Sequence, residues 1–102
     1  MRNRNRLRII VDILMVVKDG AKKTHIMHEA NLSYNLLKQC LVDILDAGLV
    51  QLGNEGRYEI TDKGSIFLER CNEFFEDSQR VKEQVSDVEK KREKLVNFLI
   101  YA

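Results

Sequence analysis

The sequence predicts a mainly α-helical protein with a minor β component, on three observations. Apolar residues recur at helical spacing through most of the chain, and two short alternating runs surround a glycine-rich turn near its middle. The remainder, about forty residues long, carries an apolar heptad repeat and contains no proline to interrupt a helix. We therefore expect a small mixed unit at residues 1–60, followed by a long helix at residues 61–102.

The first helix is predicted in the segment "RLRIIVDILMVVKDG". Its apolar residues recur at intervals of three and four, which is the spacing of one helix face. Gly20 stands where a helix of this pattern should stop. We expect a largely buried helix with an inward stripe formed by Leu7, Ile10, Leu14 and Val17, which Ile9, Ile13 and Val16 widen.

Two further helices joined by a very short turn are predicted next. Thr24 is a residue type that caps helix N-termini, and a short helix would run from it to Ala30. A tight turn at residues 31–32 is followed by Ser33, which can cap a third helix that Gly48 ends. Two helices joined by so short a turn indicate a helix-turn-helix.

A β-hairpin is predicted in the segment "LVQLGNEGRYEIT". Apolar residues alternate with polar ones on both sides of the turn residues 53–56. The order of helix, helix-turn-helix and hairpin is that of a winged helix-turn-helix domain. The hairpin would be its wing.

The long C-terminal helix begins at Thr61, a capping residue, and carries two apolar series with a period of seven. At 1.5 Å per residue the helix is roughly 60 Å long. The two apolar series form a seam along one side of this helix, and the preceding domain is too small to bury the whole seam. The helix therefore needs a partner, and a second copy is the economical one. The predicted dimer interface consists of Phe67, Phe74, Val81, Val88 and Leu95 with Cys71, Ser78, Val85, Arg92 and Leu99.

The orientation of the two helices follows from the charged residue in the seam. In a parallel dimer Arg92 would oppose its own copy, which places two buried like charges together. In an antiparallel pair that sets Val81 against Val85 of the other copy, Arg92 lies over Phe74 instead. We therefore predict an antiparallel two-stranded coiled coil with its two-fold axis near Glu83. A helix that folds back, or a larger bundle, is the alternative.

The third helix of the chain is the second helix of the helix-turn-helix, the one that lies in the DNA major groove in such motifs. The polar surface at its start therefore predicts DNA binding. The charge distribution agrees: residues 1–38 hold eight basic and three acidic side chains, although the net charge of the chain is +1. The predicted DNA-binding residues are Arg2, Arg4, Arg6, Arg8, Lys22, Lys23, Thr24, Ser33, Tyr34, Asn35, Lys38, Gln39 and Arg57.

Two other interpretations of this surface are open. The polar residues are also what any solvated helix face would show, and winged helices serve as protein-interaction modules as well. Asp43 and Asp46 follow on the same helix and would repel phosphate, so contact should be limited to its first half. The charge asymmetry favours DNA over a protein partner.

Four segments resemble the small winged-helix chromatin proteins of Sulfolobus-type archaea in order and spacing, over most of residues 6–70: "IIVDIL", "GAKKTHIMHEANLSYNLL", "AGLV" and "YEITDKGSIFLE". The stretch "THIMHEANLSY" is the most specific part of the resemblance. The resemblance implies an antiparallel coiled-coil homodimer with a winged-helix domain at each end. It also implies binding to duplex DNA with little sequence preference, and a role in nucleoid organisation, by bending or bridging DNA, or in transcriptional control. A sequence-specific regulator and a protein-interaction scaffold are the alternatives.

The sequence favours a cytoplasmic, nucleoid-associated protein over a membrane or secreted one. Arginines followed by an apolar run faintly resemble a signal peptide, but Asp12 interrupts the run and no cleavage site follows. No apolar run approaches the length of a membrane span.

An enzyme is the least favoured class. His25 and His28 lie three residues apart beside Glu29, but no third ligand follows at metal-site spacing. There is no glycine-rich phosphate loop and no nucleophile motif. Cys40 and Cys71 lie among apolar neighbours and are expected to be buried free thiols. We expect no catalytic residue, no metal, no cofactor and no small-molecule substrate.

Overall fold

The computed structural model describes residues 4–101, which divide into two compact units between Cys71 and Asn72. The predicted boundary, after residue 60, lies earlier in the chain. Four helices and three strands make up the fold: α1 (Arg6–Val17), β1 (Ala21–Lys22), α2 (Lys23–Glu29), α3 (Tyr34–Asp46), β2 (Val50–Leu52), β3 (Arg57–Ile60) and α4 (Asp62–Tyr101).

Helix α1 forms where its apolar spacing predicts it. The side chain of Asn5 caps its N-terminus by accepting a hydrogen bond from the backbone N–H of Arg8 at 2.8 Å. After the helix, Gly20 adopts φ +80°, a conformation that favours glycine, and donates a hydrogen bond to the carbonyl of Val17 at 3.0 Å. The predicted inward stripe is partly wrong. Ile9, Ile13, Leu14 and Val17 are buried as predicted, but Leu7, Ile10 and Val16 are only half-buried, and Val11, which the stripe did not include, is buried.

The prediction that Thr24 caps α2 is wrong. The helix begins one residue earlier, at Lys23, and its N-cap is Lys22, whose side chain makes no capping hydrogen bond. The reason is that Ala21 and Lys22 form β1, so the chain is already extended and turns into the helix directly after the strand. Thr24 is an exposed residue within the first turn.

The turn between α2 and α3 forms as predicted. Asn31 takes a left-handed φ of +52°, which asparagine tolerates better than most residues. Ser33 then caps α3, its hydroxyl oxygen accepting a hydrogen bond from the backbone N–H of Leu36 at 3.2 Å. Helix α3 ends at Asp46, and Gly48 follows with φ +76°.

The wing is part of a three-stranded sheet, whereas the sequence predicted only a hairpin. The strand order is β1-β3-β2, and both neighbours of β3 are antiparallel to it. Strand β1 has only two residues and therefore leaves no alternating pattern in the sequence. The wing turn at Asn54–Gly56 places Glu55 and Gly56 at positive φ.

The core of the first unit is formed by α1, α2, α3 and the start of α4. Ile13, Leu14, Ile26, Leu37 and Ile44 are its largest fully buried side chains. Their burial removes apolar surface from water, which is the main term that stabilises such a unit.

The start of α4 packs closely on this core. Thr61 caps the helix as predicted, because its hydroxyl oxygen accepts a hydrogen bond from the N–H of Gly64 at 3.0 Å. Gly64 is buried, and a Cβ there would overlap the carbonyl oxygen of Leu49. Leu68 and Cys71 are also buried, at 6% exposure each, which explains why the first unit extends to residue 71.

The second unit is the remainder of α4. Most of its described apolar side chains are exposed: Phe74 is 56%, Leu95 72% and Leu99 83% exposed. No helix in the described part of the chain is long and apolar enough to cross a membrane.

Candidate nucleic-acid interface

The N-terminal half of α3 presents a polar face to solvent. Leu37, Cys40 and Leu41 are buried on the other side of the helix, and the helical period turns the residues between them outward. The hydroxyl of Ser33 is already used as the helix cap. The exposed side chains that can meet a ligand here are Tyr34, Asn35, Lys38 and Gln39.

The start of α2 meets this face through Lys23. The ammonium nitrogen of Lys23 lies 5.8 Å from the centre of the Tyr34 ring, within the range of a cation–π interaction. Such contacts at exposed sites contribute about 0.5–1 kcal/mol. The contact joins the N-terminal turns of the two helices of the helix-turn-helix.

A second group of cations lines a surface cleft of about 320 Å³ between the start of α2 and the sheet. Lys22 on β1 and Arg57 on β3 are directly opposite in the strand register. Opposite residues of an antiparallel pair project from the same face, so two like charges lie side by side, an unfavourable arrangement that an anion would relieve. Arg57 also donates a hydrogen bond to the carbonyl of Gly20 at 3.4 Å.

His25 is a lining residue of this cleft that the sequence did not assign to the interface. It follows Lys22 by three residues and so lies near it on the first turn of α2. The three-residue spacing from Lys22 was the feature of the sequence that could have assigned His25 to this surface. Thr24 also lines the cleft, although it does not cap the helix.

Arg4 is engaged in the fold instead of pointing freely to solvent. Its guanidinium donates hydrogen bonds to Asp12 and to the carbonyls of Ala30 and Asn31, each at 2.8 Å. Only a quarter of the side chain is exposed. Arg4 therefore satisfies carbonyl groups at the end of α2 and holds the turn of the helix-turn-helix.

The other N-terminal arginines are placed as follows. Arg6 forms an ion pair with Asp43 on α3. The Nε of Arg8 lies 3.7 Å from a carboxylate oxygen of Asp12, one turn further along α1. Arg2 lies outside the described residues.

A second open cleft, of about 430 Å³, is lined by Arg6, Lys38, Gln39, Val42 and Asp43. Asp43, which was predicted to repel phosphate, is paired with Arg6 in the structure. Both side chains are about half exposed, and ion pairs of this kind contribute at most about 1 kcal/mol.

The predicted dimer seam differs in exposure along its length. Cys71 is buried within the first unit and Phe67 is half-buried, so neither offers much surface to a partner. Ser78 is half-buried and Arg92 is exposed. The remaining seam residues, Phe74, Val81, Val85, Val88, Leu95 and Leu99, are all more than half exposed.

The two cysteines are buried free thiols, as predicted. Burial raises the pKa of the Cys71 thiol. Burial also raises the pKa of Cys40, with a smaller opposing effect of Arg6 and a reinforcing one of Asp43. Both thiols are therefore protonated near neutral pH and poorly nucleophilic. Within residues 4–101 no three His, Cys, Asp or Glu side chains cluster as a metal site would require.

Residues 3–79 match the family model of the winged helix-turn-helix. The chain belongs to the winged helix-turn-helix family. This match agrees with the prediction that the protein is not an enzyme. A protein of Methanocaldococcus jannaschii is 36% identical to this winged helix-turn-helix protein over 73 residues, 71% of the chain. The chain spans only 34% of the length of that relative.

Solved structures show the same fold. Sso10a-2, described as a DNA-binding protein from Sulfolobus solfataricus, has a TM-score of 0.77 at 22% identity, covering 85% of this chain and 95% of that one. The multiple antibiotic-resistance repressor MarR of Listeria monocytogenes has a TM-score of 0.59 at 13% identity, with coverages of 89% and 72%. The resemblance predicted from the sequence is thereby confirmed in family and fold.

Proposed function

We propose that this winged helix-turn-helix protein binds double-stranded DNA, with α3 in the major groove. The observation that carries the proposal is the exposed polar first half of α3, joined to α2 by the contact of Lys23 with Tyr34. The paired cations Lys22 and Arg57 lie at the sheet beside α2, where they can contact the phosphate backbone. Sso10a-2, of the same fold, is described as DNA-binding.

Binding is proposed to have low sequence specificity. Cations recognise phosphate groups, which are the same along any duplex. Among the exposed residues of α3, only Asn35 and Gln39 carry the amide groups that read adenine edges in the major groove. Most of the affinity should therefore come from contacts that carry no sequence information.

We further propose that the second unit forms an antiparallel homodimer. The exposed apolar seam from Phe74 to Leu99 requires a partner, because water contact with so many apolar side chains is unfavourable. Residues 69–77 hold four carboxylates and one arginine, whereas residues 90–94 hold four cations and one carboxylate. Antiparallel packing sets the acidic stretch of one copy beside the basic stretch of the other, and parallel packing would oppose like charges.

A dimer with two DNA-binding units can contact two duplexes or two sites on one duplex. Combined with low sequence specificity, this favours an architectural role, the bending or bridging of nucleoid DNA with consequences for transcription. A role in the nucleoid would place the protein in the cytoplasm.

The DNA contact is tested by fluorescence anisotropy with a random-sequence duplex at several salt concentrations. Wild-type protein should lose affinity steeply as salt rises. Lys38→Gln should reduce the salt slope by about 0.9 for each winged-helix unit that contacts the duplex. Lys82→Gln removes an exposed cation of the second unit outside both charged stretches; it is the matched control and should leave the slope unchanged. An equal effect of both variants, or no binding at low salt, would reject the proposal.

A sequence-specific regulator is the second candidate, favoured by the amides of Asn35 and Gln39 on α3. Selection of tight-binding duplexes from a random pool distinguishes the two. A recovered consensus bound more than about 10³-fold tighter than random DNA would favour the regulator. A pool that stays diverse would favour the architectural role.

The antiparallel dimer is tested by disulfide formation between single-cysteine variants, made in a chain whose Cys40 and Cys71 are both replaced by alanine. The proposed register sets Ser78 of one copy against Val88 of the other. Ser78→Cys mixed with Val88→Cys should cross-link under mild oxidation, whereas each variant alone should not. If each variant forms its own disulfide, the helices are parallel and the proposed orientation is wrong.

A further inference from the structure

The ion pair between Arg6 and Asp43 joins the first residue of α1 to the second half of α3. The same cleft is lined by Lys38 and Gln39, two of the proposed DNA-binding residues. Arg6 thus lies where a cation could add to the proposed DNA contact. Instead, its charge is balanced by a carboxylate of the same surface.

Cys40 gives a second sign that these charges lie together. It is on α3, three residues before Asp43. Arg6 lowers the pKa of this buried thiol while Asp43 raises it, although burial is the largest influence. Both charges therefore act on the same short stretch of α3, as the ion pair requires.

We propose that Asp43 limits the affinity for DNA by holding Arg6 away from the phosphate backbone. The inference rests on the proposed function, and it deepens that function by assigning an attenuating role to a carboxylate. An arginine in an ion pair is already neutralised, so it displaces few counterions from DNA. Because both side chains are about half exposed, loss of the carboxylate leaves Arg6 mobile beside Lys38 without disturbing the core.

Asp46 offers a matched control on the same helix. It is exposed and follows Asp43 by three residues. No ion pair of Asp46 exists among residues 4–101. Asp46→Asn removes one negative charge but releases no arginine, so it measures the effect of weaker repulsion alone.

Asp43→Asn should bind random-sequence DNA more tightly and with a steeper salt dependence. One additional phosphate contact adds about 0.9 to the slope for each unit that contacts the duplex. If the contribution of that contact to the affinity falls to zero at 1 M salt, one such contact raises the affinity about fifteenfold at 50 mM and about fourfold at 200 mM. Asp46→Asn should change the slope much less.

The double-mutant cycle with Arg6→Gln tests the mechanism by the same anisotropy titrations, with thermal unfolding to verify that each variant is folded. Asp43→Asn should raise the affinity and the salt slope more than Asp46→Asn does. This difference should disappear when each substitution is combined with Arg6→Gln. Two outcomes would overturn the inference alone, provided that the wild type binds DNA. In the first, the two aspartate substitutions have equal effects; in the second, the effect of Asp43→Asn persists in the presence of Arg6→Gln. Absence of binding by wild type and Asp43→Asn alike would overturn the proposed function as well.

Discussion

Replacing Arg4 with alanine removes three hydrogen bonds of one guanidinium in a single step. The lost partners are the carboxylate of Asp12 and the carbonyls of Ala30 and Asn31, each 2.8 Å away. A hydrogen bond contributes about 0.5–1.5 kcal/mol net, and more where a charge takes part. Because a quarter of the side chain is exposed, water can replace some of these contacts. We expect the free energy of unfolding to fall by about 2–3 kcal/mol.

Urea unfolding followed by circular dichroism, at one fixed protein concentration, measures this loss. Arg8→Ala is the matched control, because Arg8 is half exposed and lies further from the same aspartate, at 3.7 Å. Its substitution should cost at most about 1 kcal/mol. The DNA titration adds a second readout: folded Arg4→Ala protein should keep the salt slope of the wild type.

The opposite pattern would refute this reasoning. If Arg4→Ala left stability within about 0.5 kcal/mol of the wild type and reduced the salt slope by about 0.9, Arg4 would be a phosphate contact. That was its role in the sequence-based prediction. The structure favours the stabilising role, because the guanidinium donors are already used within the fold.

Three further substitutions or conditions test the fold. Gly64→Ala should destabilise the first unit by about 3 kcal/mol or more in thermal unfolding, because the added methyl overlaps the carbonyl of Leu49. Ser33→Ala should cost about 1 kcal/mol by loss of the α3 cap. Burial raises the pKa of Cys40 and Cys71, so the unfolded chain loses their protons first as pH rises above about 9.0. Stability under reducing conditions should then fall by up to about 1.4 kcal/mol per pH unit for each thiol, and less in a variant with both cysteines replaced by alanine.

The helices were predictable because their signals are local. Apolar spacing predicted α1 and the long α4, and the caps at Ser33 and Thr61 are residue types that bond to a backbone only three residues away. The two-residue strand β1 could not be predicted in this way. It exists because β3 offers it hydrogen bonds across more than thirty residues of sequence. The same strand moved the start of α2 ahead of Thr24.

The exposed side chains at the start of α3 were predictable, whereas the partners of the nearby charged side chains were not. Residue type and position predicted that Tyr34, Asn35 and Lys38 would be exposed at the start of α3, and they are. Asp43 was expected to repel phosphate, and no partner was predicted for its carboxylate. Its pairing with Arg6 spans 37 residues and depends on how α1 lies beside α3, which periodicity does not encode.

The ion pairs of the N-terminal arginines change the expected salt dependence of DNA binding. The sequence assigned eight cations to the interface, which would give a salt slope of about −7 for each winged-helix unit. Of these, Arg4, Arg6 and Arg8 form ion pairs within the described residues, and Arg2 lies outside them. Lys22, Lys23, Lys38 and Arg57 form no ion pair within residues 4–101, and four phosphate contacts predict a slope of about −3.6. Titrations with a duplex too short for two units should give this lower value. A slope near −7 would mean that DNA opens the ion pairs and recruits the N-terminal arginines.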